Sequence, residues 1–156
     1  NLPQYDQAQH IACYLPYGHE EDVLPQMMQA WQDGKHIYVP SVIEGTHIME
    51  FYPYTNDSDT FENQFGIHEP VTDTLTPINP SELDLLLIPI VAFDSQCNRI
   101  GQGAGFYDRY LDRESVSDAA IIGVAYEIQH VPTICVDDWD KPLDMVITEE
   151  KTYTRG

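Results

Sequence analysis

Short apolar runs alternate along the chain with amphipathic and polar stretches, in an order that predicts strand, helix, strand. Residues 9–15, Gln-His-Ile-Ala-Cys-Tyr-Leu, form an apolar run stopped by Pro16 and read as a buried strand. After a turn at Pro16, Tyr17 and Gly18, a helix is predicted over 20–33. There Val23, Leu24, Met27, Met28 and Trp31 recur at helical spacing, acids crowd the first turn, and Gly34 is the stop. His36-Ile37-Tyr38-Val39-Pro40 reads as the next strand, so the opening has the pattern of a parallel crossover unit.

A strand carrying Met49 and Phe51 is predicted over 46–52, whereas 55–80 is polar, Pro-containing and aperiodic and reads as a long loop. Residues 83–91, the most hydrophobic segment, predict a central strand buried on both faces. The glycines at 101–105 open a helix bearing Phe106, Tyr107, Tyr110 and Leu111, and further strands are predicted at 119–125 and 145–148. The pattern contains no internal repeat, low-complexity tract or linker, and one domain is the expectation at 156 residues.

Composition narrows the classes of partner. With 42% hydrophobic residues a real core is affordable, but 26 acidic side chains against 7 basic ones leave a formal charge of −19. Nucleic acid and anionic membrane are polyanions bound through clustered Lys and Arg, and neither is expected here. No stretch approaches the roughly 20 apolar residues of a spanning helix. The first residues, Asn1 to Asp6, show no signal-peptide pattern and no initiator Met. Cys13, Cys97 and Cys135 are odd in number and lack C-x-x-C spacing, which predicts a reducing compartment, the cytoplasm.

The strongest chemical signal is Arg99-Ile100-Gly101-Gln102-Gly103-Ala104-Gly105-Phe106-Tyr107-Asp108-Arg109. Glycines at every second position let backbone N–H groups turn toward a ligand, and the following helix aims its positive end at the same place, a chemistry suited to phosphate. Arg99 and Arg109 would add charge-assisted contacts, and Asp108 could hold a Mg²⁺ riding on the phosphates. The plainer reading is a flexible turn and helix cap with Arg109 paired to an acid. The spacing is neither a P-loop nor the dinucleotide fingerprint. An acidic protein that binds nucleotide needs a divalent cation, for which Asp137, Asp138, Asp140 and Asp144 are further candidates, against the reading of a solvated acidic surface. Met49, Phe51 and Phe65 could line an apolar cleft. The six histidines show no H-x-x-x-H pair, and with neither a G-x-S-x-G elbow nor a marked cysteine no protein nucleophile is assigned.

The segment with Ile-Pro-Ile-Val-Ala-Phe-Asp at 88–94 and Asn-Arg-Ile-Gly-Gln-Gly-Ala-Gly-Phe-Tyr-Asp-Arg-Tyr-Leu at 98–111 resembles the signature of the 5-formyltetrahydrofolate cyclo-ligases. Tyr14-Leu15-Pro16 with Glu20, Gly34-Lys35, Val39-Pro40, Met49-Glu50-Phe51, Phe65 to Pro70, Ile122 to Ala125 with Gln129, and Asp140 with Leu143-Asp144 are similar to other family motifs in the same order. The resemblance implies an open, mainly parallel α/β sheet flanked by helices, of the kind shared with NagB, RpiA and CoA-transferase domains. It implies ATP- and Mg²⁺-dependent closure of 5-formyltetrahydrofolate to 5,10-methenyltetrahydrofolate, through attack of the formyl oxygen on the terminal phosphate.

Carried over residue by residue, ATP would be met by Arg99, Gly101, Gln102, Gly103, Ala104, Gly105, Phe106 and Tyr107. The folate would meet Leu15, Glu20, Met49, Phe65, Gln102, Gly105 and Phe106, and Mg²⁺ would sit on Asp108 and Asp140. The resemblance also implies a first helix with a Lys and an Arg for ATP phosphates, which would lie before residue 1. Gln102, Ala104 and Cys97 stand where relatives often carry other residues. A monomer or weak homodimer is expected. The competing expectations are a noncatalytic nucleotide- or folate-binding module and, on a similar fold, a sugar-phosphate isomerase.

Overall fold

The computed structural model describes residues 3–16, 20, 22–43, 45–46, 48–63, 66–100, 106–111, 119–135 and 142–155. Its centre is a seven-stranded sheet of order β11-β10-β9-β6-β1-β2-β3. The strands are β1 (His10–Ala12), β2 (His36–Val42), β3 (Met49–Tyr54), β6 (Leu85–Pro89), β9 (Ala120–Val124), β10 (Met145–Ile147) and β11 (Thr152–Thr154). The five inner strands run parallel, and β3 and β11 close the two edges antiparallel. A mainly parallel open sheet with helices on both faces is therefore the architecture, as the resemblance implied.

Period-two alternation divides the strands between two cores. Ala12, Tyr38, Leu86, Ile88 and Val146 face one side, with Phe51, Phe93, Leu143 and the helix α3 (Phe106–Leu111) packed over them. Ile11, Ile37, Val39, Leu85, Ile122 and Met145 face the other, covered by Tyr5 of α1 (Pro3–Gln7) with the following Ala8, and by α2 (Leu24–Gln32) through Met27 and Ala30. The segment predicted over 83–91 is thus β6, fourth of the seven strands and buried on both faces. Its early Asp84 serves the sheet, accepting the N–H groups of Gln9 and His10 at 2.9 Å each at the start of β1.

The helix predicted over 20–33 begins only at Leu24. Pro25 in the first turn has no N–H to spend and a φ suited to starting a helix, and the Asp22 carboxylate accepts the Leu24 N–H at 2.9 Å. Glu20 and Asp22 consequently precede the helix. Its end follows the sequence. Gly34 takes φ +78°, and Gly34 N–H to Trp31 O and Lys35 N–H to Ala30 O satisfy the last carbonyls in a Schellman motif.

The long loop expected over 55–80 contains a small hairpin, β4 (Thr60–Glu62) and β5 (His68–Pro70). Three-residue strands show no usable period, and β4 is exposed throughout. Glu69, buried, pins the hairpin to β2 by accepting the Ser41 hydroxyl at 2.6 Å, the Val42 N–H at 3.1 Å and the Asn63 amide at 2.7 Å. A second hairpin, β7 (Ala92–Phe93) with β8 (Arg99–Ile100), follows β6 and was not predicted, nor were α1 and β11.

Candidate active site

In an open parallel sheet, ligands bind beyond the carboxyl ends of the strands, where successive connections leave to opposite sides. Here that point lies between β1 and β6, because β1 has β2 on one side and β6 on the other. The segment after β1 carries Leu15 and Glu20, and the one after β6 carries the β7–β8 hairpin with Arg99. Glu20 and Arg99, 79 positions apart, are so brought to the same end of the sheet by topology.

The hairpin is built around a buried carboxylate. Asp94, 2% exposed, accepts the N–H groups of Gln96 at 3.0 Å and Asn98 at 3.1 Å on Oδ1, and on Oδ2 the Asn98 side-chain amide at 3.2 Å and the Ile134 N–H at 3.0 Å. Burial pushes its pKa up, but the hydrogen bonds from Ile134, Asn98 and Gln96 outweigh that and hold the carboxyl below the usual value. Cys97 turns the corner at φ +63°. Its thiol is buried on the Tyr153 carbonyl and pushed up, chiefly by desolvation, so it is no nucleophile.

Arg99 leaves this turn with a side chain only 5% exposed and pairs with the Asp108 carboxylate, itself 38% exposed, in the first turn of α3. The Arg99 Nε donor has no hydrogen-bond partner among the described residues. A covered guanidinium with a donor in hand is a ready site for an anionic oxygen to accept that hydrogen bond. One residue earlier, burial drives the Tyr107 hydroxyl far above its ordinary pKa. The Glu20 charge adds to this and Arg99 opposes it, so the three groups share one electrostatic neighbourhood.

The helix that presents Phe106, Tyr107 and Asp108 is seated on β3. Tyr110 meets Phe51 edge to face with centroids 4.9 Å apart, and Met49, paired with Val42, lies buried in the same core, against which Phe106 and Tyr107 pack. Arg99 and Asp108 are thus paired, with Phe106 and Tyr107 in the same turn of α3 and the Glu20 charge bearing on Tyr107, while Met49 is buried in the core beneath α3 and Leu15 packs partly buried toward the opposite core. Gly101, Gln102, Gly103, Ala104, Gly105, Phe65 and Asp140 lie outside the described residues. Asp144 serves the sheet, its carboxylate accepting the Ile121 N–H at 2.8 Å and standing 3.7 Å from Arg155.

Two supporting residues escaped sequence reasoning as individuals. Asp94 had a signal in the Asp-x-x-x-Asn turn composition. Gln129 had none beyond its motif, yet its amide donates to the Ile90 and Val91 carbonyls at 2.8 and 3.0 Å and accepts the Tyr126 N–H, tying together the segments that follow β6 and β9.

Among the described residues no cluster of three or more His, Cys, Asp or Glu could cage a metal, and no helix is long and apolar enough to cross a membrane. Mg²⁺ needs no such cage, since one or two carboxylates completed by phosphate oxygens and water suffice. Asp108 fits that demand: its Oδ1 is held by Arg99, and the carboxylate is partly open to solvent.

Cationic and aromatic side chains at the switch point of a doubly flanked parallel sheet define an α/β enzyme whose chemistry lies at the strand ends. The chain belongs to the 5-formyltetrahydrofolate cyclo-ligase family, whose model matches residues 1–149. It is 36% identical over 144 residues to the 5-formyltetrahydrofolate cyclo-ligase of Haemophilus influenzae, covering 92% of this chain and 77% of that one. To the Escherichia coli K12 enzyme of the same name it is 34% identical over 153 residues, covering 97% and 84%. The solution structure of Aquifex aeolicus 5,10-methenyltetrahydrofolate synthetase superimposes with a TM-score of 0.80 at 30% identity, over 99% of this chain and 75% of that one.

Proposed function

We propose that the chain closes the ring of 5-formyltetrahydrofolate to 5,10-methenyltetrahydrofolate, spending ATP and releasing ADP and phosphate. The formyl oxygen attacks the terminal phosphorus as the bond to ADP breaks, leaving an iminium phosphate. Nitrogen 10 of the folate then adds to the formyl carbon, loses its proton, and the carbon–oxygen bond to phosphate breaks. No protein nucleophile is required, because phosphoryl transfer asks for positioning and charge neutralisation.

The observation that carries this reading is the covered Arg99 guanidinium, whose Nε has no partner among the described residues, in the electrostatic neighbourhood of Tyr107 and Glu20. Arg99 takes an oxygen of the transferring phosphate, supported by the backbone of Gly101, Gln102, Gly103, Ala104 and Gly105, with Phe106 and Tyr107 flanking. Glu20 accepts hydrogen bonds from the pterin, and Leu15, Met49 and Phe65, with Gln102, Gly105 and Phe106, bound the folate. Tyr107 stays neutral, its ionisation disfavoured by burial and by Glu20, and so offers a donor O–H. Asp108 and Asp140 would hold Mg²⁺, which when bound neutralises phosphate charge in this anionic protein.

We further place the protein in a reducing cytoplasm, consistent with three free cysteines, as a monomer or weak homodimer. The test is direct. Purified protein with 5-formyltetrahydrofolate should develop methenyltetrahydrofolate absorbance only when ATP and Mg²⁺ are both present. Binding of both ligands without that absorbance would instead establish the noncatalytic module.

A further inference from the structure

We propose that Asp94 is a positioning residue for the ATP-phosphate contact: its carboxylate gathers the turn that ends at Arg99 and fastens it to the chain at Ile134. The inference rests on the reading of Arg99 as a phosphate ligand. Four donors converge on this one buried group, three of them from residues 96 and 98 and the fourth from a segment 40 positions away. Asn98 is gripped through both its backbone N–H and its side-chain amide, and the next residue is Arg99. The place where β8 begins, and hence the root of the Arg99 side chain, is set by this carboxylate.

The surroundings reinforce the same turn from outside. Val131 N–H reaches Phe93 O at 2.8 Å, and Leu143 N–H reaches Cys97 O at 2.9 Å. The turn therefore meets the chain at 131, 134 and 143, and Asp94 supplies the acceptor from within. Asparagine cannot replace it. An Asn at 94 has nearly the same volume, but it keeps one acceptor oxygen and turns an N–H₂ toward backbone N–H donors, leaving buried groups unsatisfied. The turn would then relax, and Arg99 with it, while of the folate-facing residues Met49 on β3, Leu15 after β1 and Phe106 in α3 keep their own packing against the cores.

Steady-state kinetics on Asp94→Asn, Arg99→Ala and the double variant test this, varying ATP at saturating 5-formyltetrahydrofolate and then the reverse. Asp94→Asn should raise the KM for ATP about tenfold, the factor that corresponds to about 1.4 kcal/mol, with the KM for 5-formyltetrahydrofolate within about twofold. In the Arg99→Ala background the same change should add less than about twofold, because the contact it positions is already gone. Equal rises in both KM values, no rise in either, or a full tenfold addition on Arg99→Ala would overturn the proposal. If Arg99→Ala alone leaves the ATP KM unchanged, it is the reading of Arg99 that falls. Should Asp94→Asn fail to fold, Asn98→Ala removes one donor only, and must show the same ATP-selective shift in smaller measure or the proposal is overturned.

Discussion

Gly123 offers a test in which local propensity and tertiary packing predict opposite signs. It lies in β9, in parallel register between Ile88 of β6 and Val146 of β10. A Cβ built there would stand 2.6 Å from Leu143 Cδ1, 3.2 Å from Ile90 Cδ1 and 3.5 Å from Val146 Cγ2. Leu143 is fully buried, so its methyl has nowhere open to move. Overpacking of this kind costs roughly 1–3 kcal/mol. Against it, replacing a strand-interior glycine by alanine recovers about 0.5–1 kcal/mol of chain entropy. The net expectation for Gly123→Ala is a loss of up to about 2.5 kcal/mol, or a fall in Tm of up to roughly 8 °C for a chain of this size.

Urea and thermal unfolding measure this directly. Leu143→Ala is the control that makes room, and in that background Gly123→Ala should become neutral or favourable, since the two side chains contend for one volume. If Gly123→Ala stabilises the otherwise unaltered protein by the amount that propensity alone predicts, or if the two changes simply add, the packing argument is wrong. The same displacement would strain the Leu143 N–H bond to Cys97 O, so a selective rise in the ATP KM should accompany the lost stability.

Other expectations follow from particular contacts. Phe51→Ala removes the ring on which Tyr110 seats α3 and should cost about 3–5 kcal/mol by denaturant titration, whereas a loss under about 1 kcal/mol would mean the helix is held elsewhere. Asp84→Ala removes the acceptor of the solvent-open Gln9 and His10 N–H groups, and should lower stability by about 0.5–1.5 kcal/mol while leaving the ATP KM unchanged; a shifted KM would contradict its purely architectural role. Asp108→Ala should abolish activation by Mg²⁺ in a titration of the metal at fixed ATP, and unchanged activation would remove Asp108 from the metal site. Because the Asp94 carboxyl is held below its usual pKa, its stabilisation is complete above about pH 4 and is lost as pH falls through the native value. The urea-midpoint gap between the parent protein and Asp94→Asn should therefore narrow on acidification below about pH 4; a gap that persists unchanged to pH 3 would contradict the bound-carboxylate account.

The legible parts of the fold were those whose signal is local and long enough to count. The apolar run at 83–91 read as a central strand, and the spacing of Leu24, Met27, Met28 and Trp31 as one helix. What stayed hidden was short or set by distant partners. β4, β5, β7, β8 and β11 are two or three residues each, too brief for a period, and they exist because a neighbour pairs with them. The start of α2 was misplaced for a different reason, since acids before a proline look like a first turn until the Pro25 ring decides where helical hydrogen bonding can begin.

For the site, the glycine-rich spacing was enough to nominate Arg99 and Asp108, because phosphate chemistry selects arginine and a metal-holding carboxylate beside such a loop, whereas Glu20 and Tyr107 were nominated only by the resemblance to the family's motifs. The inner strands are continuous apolar runs, such as Leu85 to Ile88, so which of their side chains face which core was decided by the structure. Only the tertiary structure decided that Glu20 would feel the same field as Tyr107, that Arg99 would be covered and paired to Asp108, and that a carboxylate at 94 would collect a donor from Ile134. Those relations depend on which strand lies beside which, and strand order is fixed by long-range burial and crossover handedness, quantities that no window of neighbouring residues contains.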